Sequence, residues 1–144
     1  MKNRILPVVS CLLLFSFIPK TNPPIPGPAF PYKNARLPVE QRVTDLLGRM
    51  TLEEKIRQLD MYWGKEVADM GGHEASAYSA EKVKASLGVS GVGSVHDFYP
   101  IDPRIANQIQ QYAIEKTRLG IPVLFIEEGL HGYSGLGSTS FPIP

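Results

Sequence analysis

From residue 38 onward the apolar positions fall into helical runs and then into short strand-like runs. Val39, Val43, Leu46, Leu47 and Met50 recur at i, i+4, i+7, i+8 and i+11, which sets one apolar stripe on a helix opening at Leu37-Pro38. Gly48 weakens the end of that helix. Thr51-Leu52-Glu53-Glu54 is a capping box, in which the Thr51 hydroxyl accepts from the Glu54 amide and the Glu54 carboxylate reaches back. Leu52, Ile56 and Leu59 continue a second stripe, so the pattern predicts two short helices joined near Met50. Residues 63–79 lose the periodicity, are punctuated by Gly64, Gly71 and Gly72, and read as a loop that carries His73 and Glu74. Ser79 then caps a short helix through Leu87, which Gly88 ends.

The last third alternates. Gly91-Val92-Gly93-Ser94-Val95 is small and β-compatible, a strand whose glycines mark close packing. Asp102-Pro103 opens a helix, with Asp as N-cap and Pro at the first helical position, and Ile105, Ile109, Tyr112 and Ala113 form its apolar face. Arg118 is placed in its last turn and Gly120 is its stop. The continuous apolar run Val123-Leu124-Phe125-Ile126 is the pattern of a strand buried on both faces. A helical crossover between neighbouring strands implies parallel pairing, and so an α/β fold. Ligands in such folds gather beyond the carboxyl ends of the strands, which singles out Ser94-Val95-His96-Asp97 and Glu127-Glu128-Gly129-Leu130-His131-Gly132.

The first thirty residues differ in kind. Lys2 and Arg4 precede the uncharged stretch Ile5–Ile18, the layout of a secretory signal peptide, assigned here to residues 1–22. Pro7 and the polar stop at Pro19-Lys20-Thr21-Asn22 argue against a buried helix. Val8-Val9-Ser10-Cys11 is similar to a lipoprotein box, but the apolar stretch follows the cysteine, whereas a lipoprotein box ends it. Residues 23–31, with Pro23, Pro24, Pro26, Pro28 and Pro31, form an extended linker. The expected location is therefore outside the cytoplasm, periplasmic or extracellular.

Composition narrows the class. Of 144 residues 43% are hydrophobic and 20% charged, which excludes wholesale disorder. A formal net charge of +1 gives no basic field for nucleic acid. A single cysteine excludes a disulfide framework and a cysteine-based zinc site. No apolar run reaches the roughly 18 residues of a membrane span. Two parallel strands do not make a stable sheet, and a full (β/α)8 barrel takes about 250 residues. The segment 32–144 therefore reads as one incomplete α/β domain, the N-terminal part of a longer enzyme.

The strand ends hold the candidate chemistry. Glu127 and Glu128 are adjacent, so they point to opposite faces and cannot form a catalytic carboxylate pair on one sugar. One of them at most faces a site; the other is expected to be a solvated or ion-paired loop carboxylate. Glu128-x-x-His131 has the spacing of di-iron bundle proteins, but glycines replace the helix that motif needs. His73 and His96 have no partners at metal spacing, and no metal or other cofactor is expected. Gly132-Tyr133-Ser134-Gly135-Leu136 misses the nucleophile elbow at its last position. Gly135–Ser140 misses the dinucleotide fingerprint and reads as a close-packed loop.

The order of several segments resembles the start of glycoside hydrolase family 3. Tyr32-Lys33-Asn34, Leu37–Val43 and Leu46–Ile56 are similar to that family's opening helices. Asn107-Gln108 with Arg118–Pro122 is similar to its second helix-to-strand connection, and Glu128–Gly132 followed by Thr139-Ser140-Phe141-Pro142 to its substrate-binding loop. The likeness spans residues 32–142. It implies the opening of a TIM-barrel-like domain and an exo-acting, retaining hydrolysis of terminal β-glucosyl or β-xylosyl residues from β-linked oligosaccharides or aryl and alkyl β-glycosides. It also implies a nucleophile and an acid/base beyond Pro144, so that no catalytic residue lies in this chain and the chain alone is inactive. By the same resemblance Glu128 occupies the position of the carboxylate that grips the non-reducing sugar, where β-glucosidases more often have Asp and the β-xylosidase-like branch has Glu. His131 is expected to shape the loop by hydrogen-bonding backbone, or to help bind sugar. The alternative is a small exported α/β ligand-binding module without catalysis.

Overall fold

A computed structural model describes residues 30–133 and 135–142. The signal segment 1–22 and most of the linker 23–31 lie outside the described residues. Pro31–Lys33 forms a single 3-10 turn, stitched to the first helix by the Tyr32 amide on Asp45 Oδ2 (3.1 Å) and the Arg42 guanidinium on the Tyr32 carbonyl (2.9 Å).

Helices α1 (Val39–Arg49) and α2 (Leu52–Arg57) meet at Met50-Thr51, as the stripes predict. The capping box is present in both directions, at 3.2 Å from the Glu54 amide to the Thr51 hydroxyl and 2.9 Å from the Thr51 amide to Glu54 Oε2. The α1 stripe is present on one side of the helix, although no residue of α1 is buried. Val39, Val43 and Leu46 line an open hollow of about 450 Å³ facing Ile114 and Ile121, while Leu47 lies half in solvent.

Strand β1 (Met61–Trp63) was not foreseen. It pairs in parallel with β4 (Ser94–His96), which pairs in parallel with β5 (Leu124–Ile126), giving a three-stranded sheet of order β1-β4-β5. The predicted loop 63–79 is also corrected. It holds an antiparallel hairpin of β2 (Ala68–Met70) and β3 (Ala75–Tyr78) around Gly71-Gly72. The hairpin is built by tertiary contact rather than by local pattern: Val67, Ala68 and Ala75 are fully buried, and the Ala75 amide donates to the Phe98 carbonyl at 2.9 Å. The strand expected at 91–95 begins three residues later. Gly93 leads into it because a Cβ there would stand 2.0 Å from the Gln58 carbonyl oxygen, so close packing at this glycine is real.

Helices α3 (Ala80–Leu87) and α4 (Pro103–Lys116) match their caps. Ser79 accepts from the Lys82 amide, Gly88 ends α3 at a φ of +53°, and Asp102 accepts from the Arg104 amide at 2.9 Å. Val83 and Leu87 of α3 and Ile105, Ile109 and Ala113 of α4 pack with Val92, Val95, Phe98 and Val123 into one core. Arg118 does not sit in the last turn of α4, which ends at Lys116. It turns back instead to Glu54: Nε donates to Oε1 at 2.7 Å, Nη2 pairs with Oε2, and Nη2 also donates to the Arg49 carbonyl at 2.8 Å. Glu54 is itself 4% exposed, and this pair ties the α1–α2 junction to the segment that leads into β5.

Alternation along the three parallel strands explains their two faces. Tyr62, Val95 and Phe125, the middle residues, turn toward the core. Met61, Trp63, Leu124 and Ile126 turn the other way and are 52%, 48%, 62% and 40% exposed. The expectation that Val123–Ile126 is buried on both faces therefore fails among the described residues, because they supply cover for one face only. The fold is mixed α/β, with a parallel sheet and a small antiparallel one. Among the described residues no helix is long and apolar enough to cross a membrane.

Candidate functional site

The carboxyl ends of the parallel strands bring together the two segments that sequence reasoning singled out. Trp63, His96 and Ile126 are register partners and end their strands in one row on the uncovered face. The Trp63 and His96 rings lie 4.2 Å apart, and His96 Nδ1 stands 3.5 Å from Asp97 Oδ2.

Beyond β4 the chain makes an unusual turn. Asp97 has a φ of +48° and Tyr99 of +37°, although neither is glycine. Each such residue costs on the order of 1–3 kcal/mol and persists only where its surroundings hold it. Glu127, the first residue past β5, supplies the hold. Its carboxylate accepts from the Phe98 amide at 3.2 Å and from the Tyr99 amide at 2.9 Å. Tyr99 is almost wholly buried, with its ring between His73 at 4.5 Å and Tyr133 at 5.4 Å. Its hydroxyl accepts from the Glu128 amide at 3.2 Å.

The two adjacent carboxylates thus part company. Glu127 is half-buried and bonded to backbone amides, which corrects the expectation of a solvated or ion-paired side chain. Burial pushes its carboxyl above the usual glutamate range; the amides of Tyr99 and Phe98 pull it back, Asp97 adds a push and His96 a pull. Glu128 is exposed, the second residue past the strand end. Tyr133 is held up in turn, by burial first and then by the charge of Glu127.

The loop after Glu128 closes on itself. His131 Nδ1 stands 2.8 Å from the Phe141 carbonyl, and the Phe141 amide donates to the His131 carbonyl at 2.6 Å. His131 therefore shapes the loop, as one of its two expected roles has it. Gly132 sits at a φ of +116°, where a Cβ would stand 2.4 Å from the Thr139 carbonyl oxygen, so only glycine lets the two ends approach. The Ser138 hydroxyl bonds back to the Gly135 carbonyl at 2.5 Å and to that of Tyr133, consistent with a close-packed loop. Among the described residues no group of three or more His, Cys, Asp or Glu gathers as a metal cage. The hollow between α1 and the α4–β5 connection lies elsewhere and carries none of these residues.

Sequence reasoning missed Trp63, Tyr99 and the role of Glu127. The Trp63 signal was a three-residue apolar run too short to separate from a helix end, and nothing local marks Tyr99 as left-handed.

No family model matches the chain. It is 39% identical over 120 residues to a protein named "Putative beta-xylosidase" from Formosa agariphila, a match covering 78% of this chain and 15% of that protein. It is 32% identical over 117 residues to "Beta-glucosidase C" from Emericella nidulans, covering 76% of this chain and 18% of that protein. The chain thus spans under a fifth of the length of these curated relatives. Together the two matches make the chain a relative of β-xylosidase- and β-glucosidase-type hydrolases, in keeping with the glycoside hydrolase family 3 resemblance of its sequence.

Proposed function

We propose that the chain is the N-terminal part of an exo-acting, retaining β-glycosidase. It grips the terminal sugar through Glu128, while the nucleophile and the acid/base come from residues beyond Pro144. The observation that carries this reading is the exposed Glu128 at the carboxyl end of a parallel sheet whose other face is apolar and uncovered. A parallel sheet is stable when both faces are covered, and further βα units of an incomplete (β/α)8 barrel are the natural cover for Met61, Trp63, Leu124 and Ile126. In such a barrel the substrate meets the strand ends from which Glu128 projects.

An ionised carboxylate only accepts hydrogen bonds and takes two sugar hydroxyls at once, as strong charge-assisted bonds. Glu128 thereby positions the sugar and forms no covalent bond to it. Glu is one methylene longer than Asp and fills space that a glucose hydroxymethyl needs, so β-xylosides are preferred over β-glucosides. The substrates are β-linked oligosaccharides or aryl and alkyl β-glycosides. Residues 1–22 export the protein and 23–31 act as a linker, placing the activity in the periplasm or outside the cell.

Kinetics of the protein read from the full reading frame, on aryl β-xyloside and aryl β-glucoside, test this. Hydrolysis favouring the xyloside, with KM raised about tenfold or more in Glu128→Gln, supports it, since the loss of a charge-assisted bond is worth that much. Absence of hydrolysis, or an unchanged KM in Glu128→Gln, refutes it. A glucoside preference that Glu128→Asp leaves unaltered refutes the pentose argument.

A further inference from the structure

Glu127 is a charged group spent on backbone. A carboxylate that forms no ion pair among the described residues, half-buried at the rim of a candidate site, accepts from two consecutive amides of a different strand's end, Phe98 and Tyr99. Those amides belong to a turn with left-handed φ at Asp97 and Tyr99, which no glycine eases. The turn delivers one group to the site, the Tyr99 hydroxyl, and that hydroxyl meets the amide of Glu128. The connection therefore runs from one carboxylate to its neighbour in sequence by way of another strand: Glu127 carboxylate, Tyr99 amide, Tyr99 hydroxyl, Glu128 amide. The Glu127 carboxylate is engaged with backbone while Glu128 is exposed, so this detour is the physical route by which the inner carboxylate can act on the outer one. His73 and Tyr133 pack against the Tyr99 ring and keep the hydroxyl in place.

We propose that Glu127 is a positioning residue: by holding the Phe98–Tyr99 amides it fixes the Tyr99 hydroxyl beneath the Glu128 amide, and so sets the direction in which the Glu128 carboxylate meets the sugar. The inference rests on the reading of Glu128 as the sugar anchor and adds how the anchor is aimed. It also sets a pH dependence. The hold is strongest when Glu127 is ionised, because amide donors bond better to a carboxylate than to a neutral carboxyl. The titratable groups facing it are His96 and Asp97 from the end of β4, Tyr99 from the turn and Tyr133 from the loop after β5.

The test uses the full 144-residue chain, labelled with 15N. In the wild type the amide shifts of Phe98, Tyr99 and Glu128 are expected to titrate together, with a midpoint above the ordinary glutamate range. In Glu127→Gln all three traces flatten and the Glu128 amide exchanges faster with solvent. With methyl β-xyloside as the probe, Glu127→Gln weakens binding about tenfold, an ordinary consequence of a misaimed group. Tyr99→Phe, which removes only the hydroxyl, weakens it comparably, and the double variant is no weaker than the poorer single one, because both act through one connection. A Glu128 amide whose shift and exchange do not respond to Glu127→Gln overturns the proposal, as do effects of the two substitutions that simply multiply. If Glu127→Gln does not fold, the wild-type titration and the loss of its Glu128 component in Tyr99→Phe decide the matter. If the wild-type chain shows no saturable shift with sugar, the anchor reading of Glu128 fails, while the amide titration still decides whether Glu127 positions Glu128.

Discussion

Glu54→Gln is the sharpest probe of how this chain holds its sheet in register. The Glu54 carboxylate is nearly excluded from water, accepts from the Thr51 amide, and faces the Arg118 guanidinium that comes back from beyond α4. The Arg118 hydrogen bond, opposed by burial and helped by the Thr51 amide, lowers its pKa from 4.5 to about 2. Converted at about 1.4 kcal/mol per pH unit, that difference sets a ceiling of ~3.5 kcal/mol on its contribution to stability at neutral pH. Arg118 is half-exposed, so water screens the pair and leaves about 2 kcal/mol. A carboxylate with a depressed folded pKa stabilises the fold above its unfolded pKa and loses that contribution as pH falls through the folded value. The stabilisation is therefore complete above about pH 5 and fades between 4.5 and about 2. Urea unfolding followed by Trp63, the chain's only tryptophan, reads it directly. Glu54→Gln should lose about 2 kcal/mol at pH 7, and the gap to wild type should narrow below about pH 4.5 and close only as pH falls to about 2. Asp45 and Asp102, also lowered by arginine partners, titrate in both proteins and cancel in the difference. An equal stability at pH 7, or a gap that stays constant down to the lowest pH at which the chain folds, refutes the reasoning.

Other expectations follow from single contacts. Gly93→Ala pushes a methyl into the Gln58 carbonyl and should cost about 1–3 kcal/mol by the same urea assay, whereas Gly48→Ala, which meets open space inside α1, should not destabilise. The isolated 144-residue chain should release no nitrophenol from aryl β-xyloside or β-glucoside; measurable turnover would contradict placing the catalytic carboxylates beyond Pro144. On the proposed β-glycosidase reading, Glu128→Asp in the protein read from the full reading frame should shift the ratio of kcat/KM toward glucoside, read from parallel kinetics on the two substrates.

What was legible in the sequence was what is decided locally. The Thr51 capping box, the Ser79 and Asp102 caps and the Ile105–Ile109–Ala113 stripe depend on residues within a few positions of one another, and the elements stand where those signals put them. The hairpin was not legible, because Ala68 and Ala75 carry no strand preference and are held by burial under Phe98. Arg118 looked like a helix-terminal charge, since its partner Glu54 lies 64 residues away. At the site, the strand-end rule placed both carboxylates just past β5, where Glu127 is half-buried and Glu128 exposed. It did not show that the inner one binds the backbone of Phe98 and Tyr99, since Asp97 and Tyr99 give no glycine signal for the left-handed turn they make.

The central claim is that Glu128 is a sugar-binding carboxylate. Amide shift mapping of the 144-residue chain with methyl β-xyloside and methyl β-glucoside, in wild type and in Glu128→Gln, tests it most directly. The account predicts saturable shifts centred on residues 127–132 and Tyr99, stronger affinity for the xyloside, and loss of both in Glu128→Gln with the remaining spectrum unchanged. Shifts that persist undiminished in Glu128→Gln, or that cluster away from the carboxyl ends of β1, β4 and β5, would contradict it.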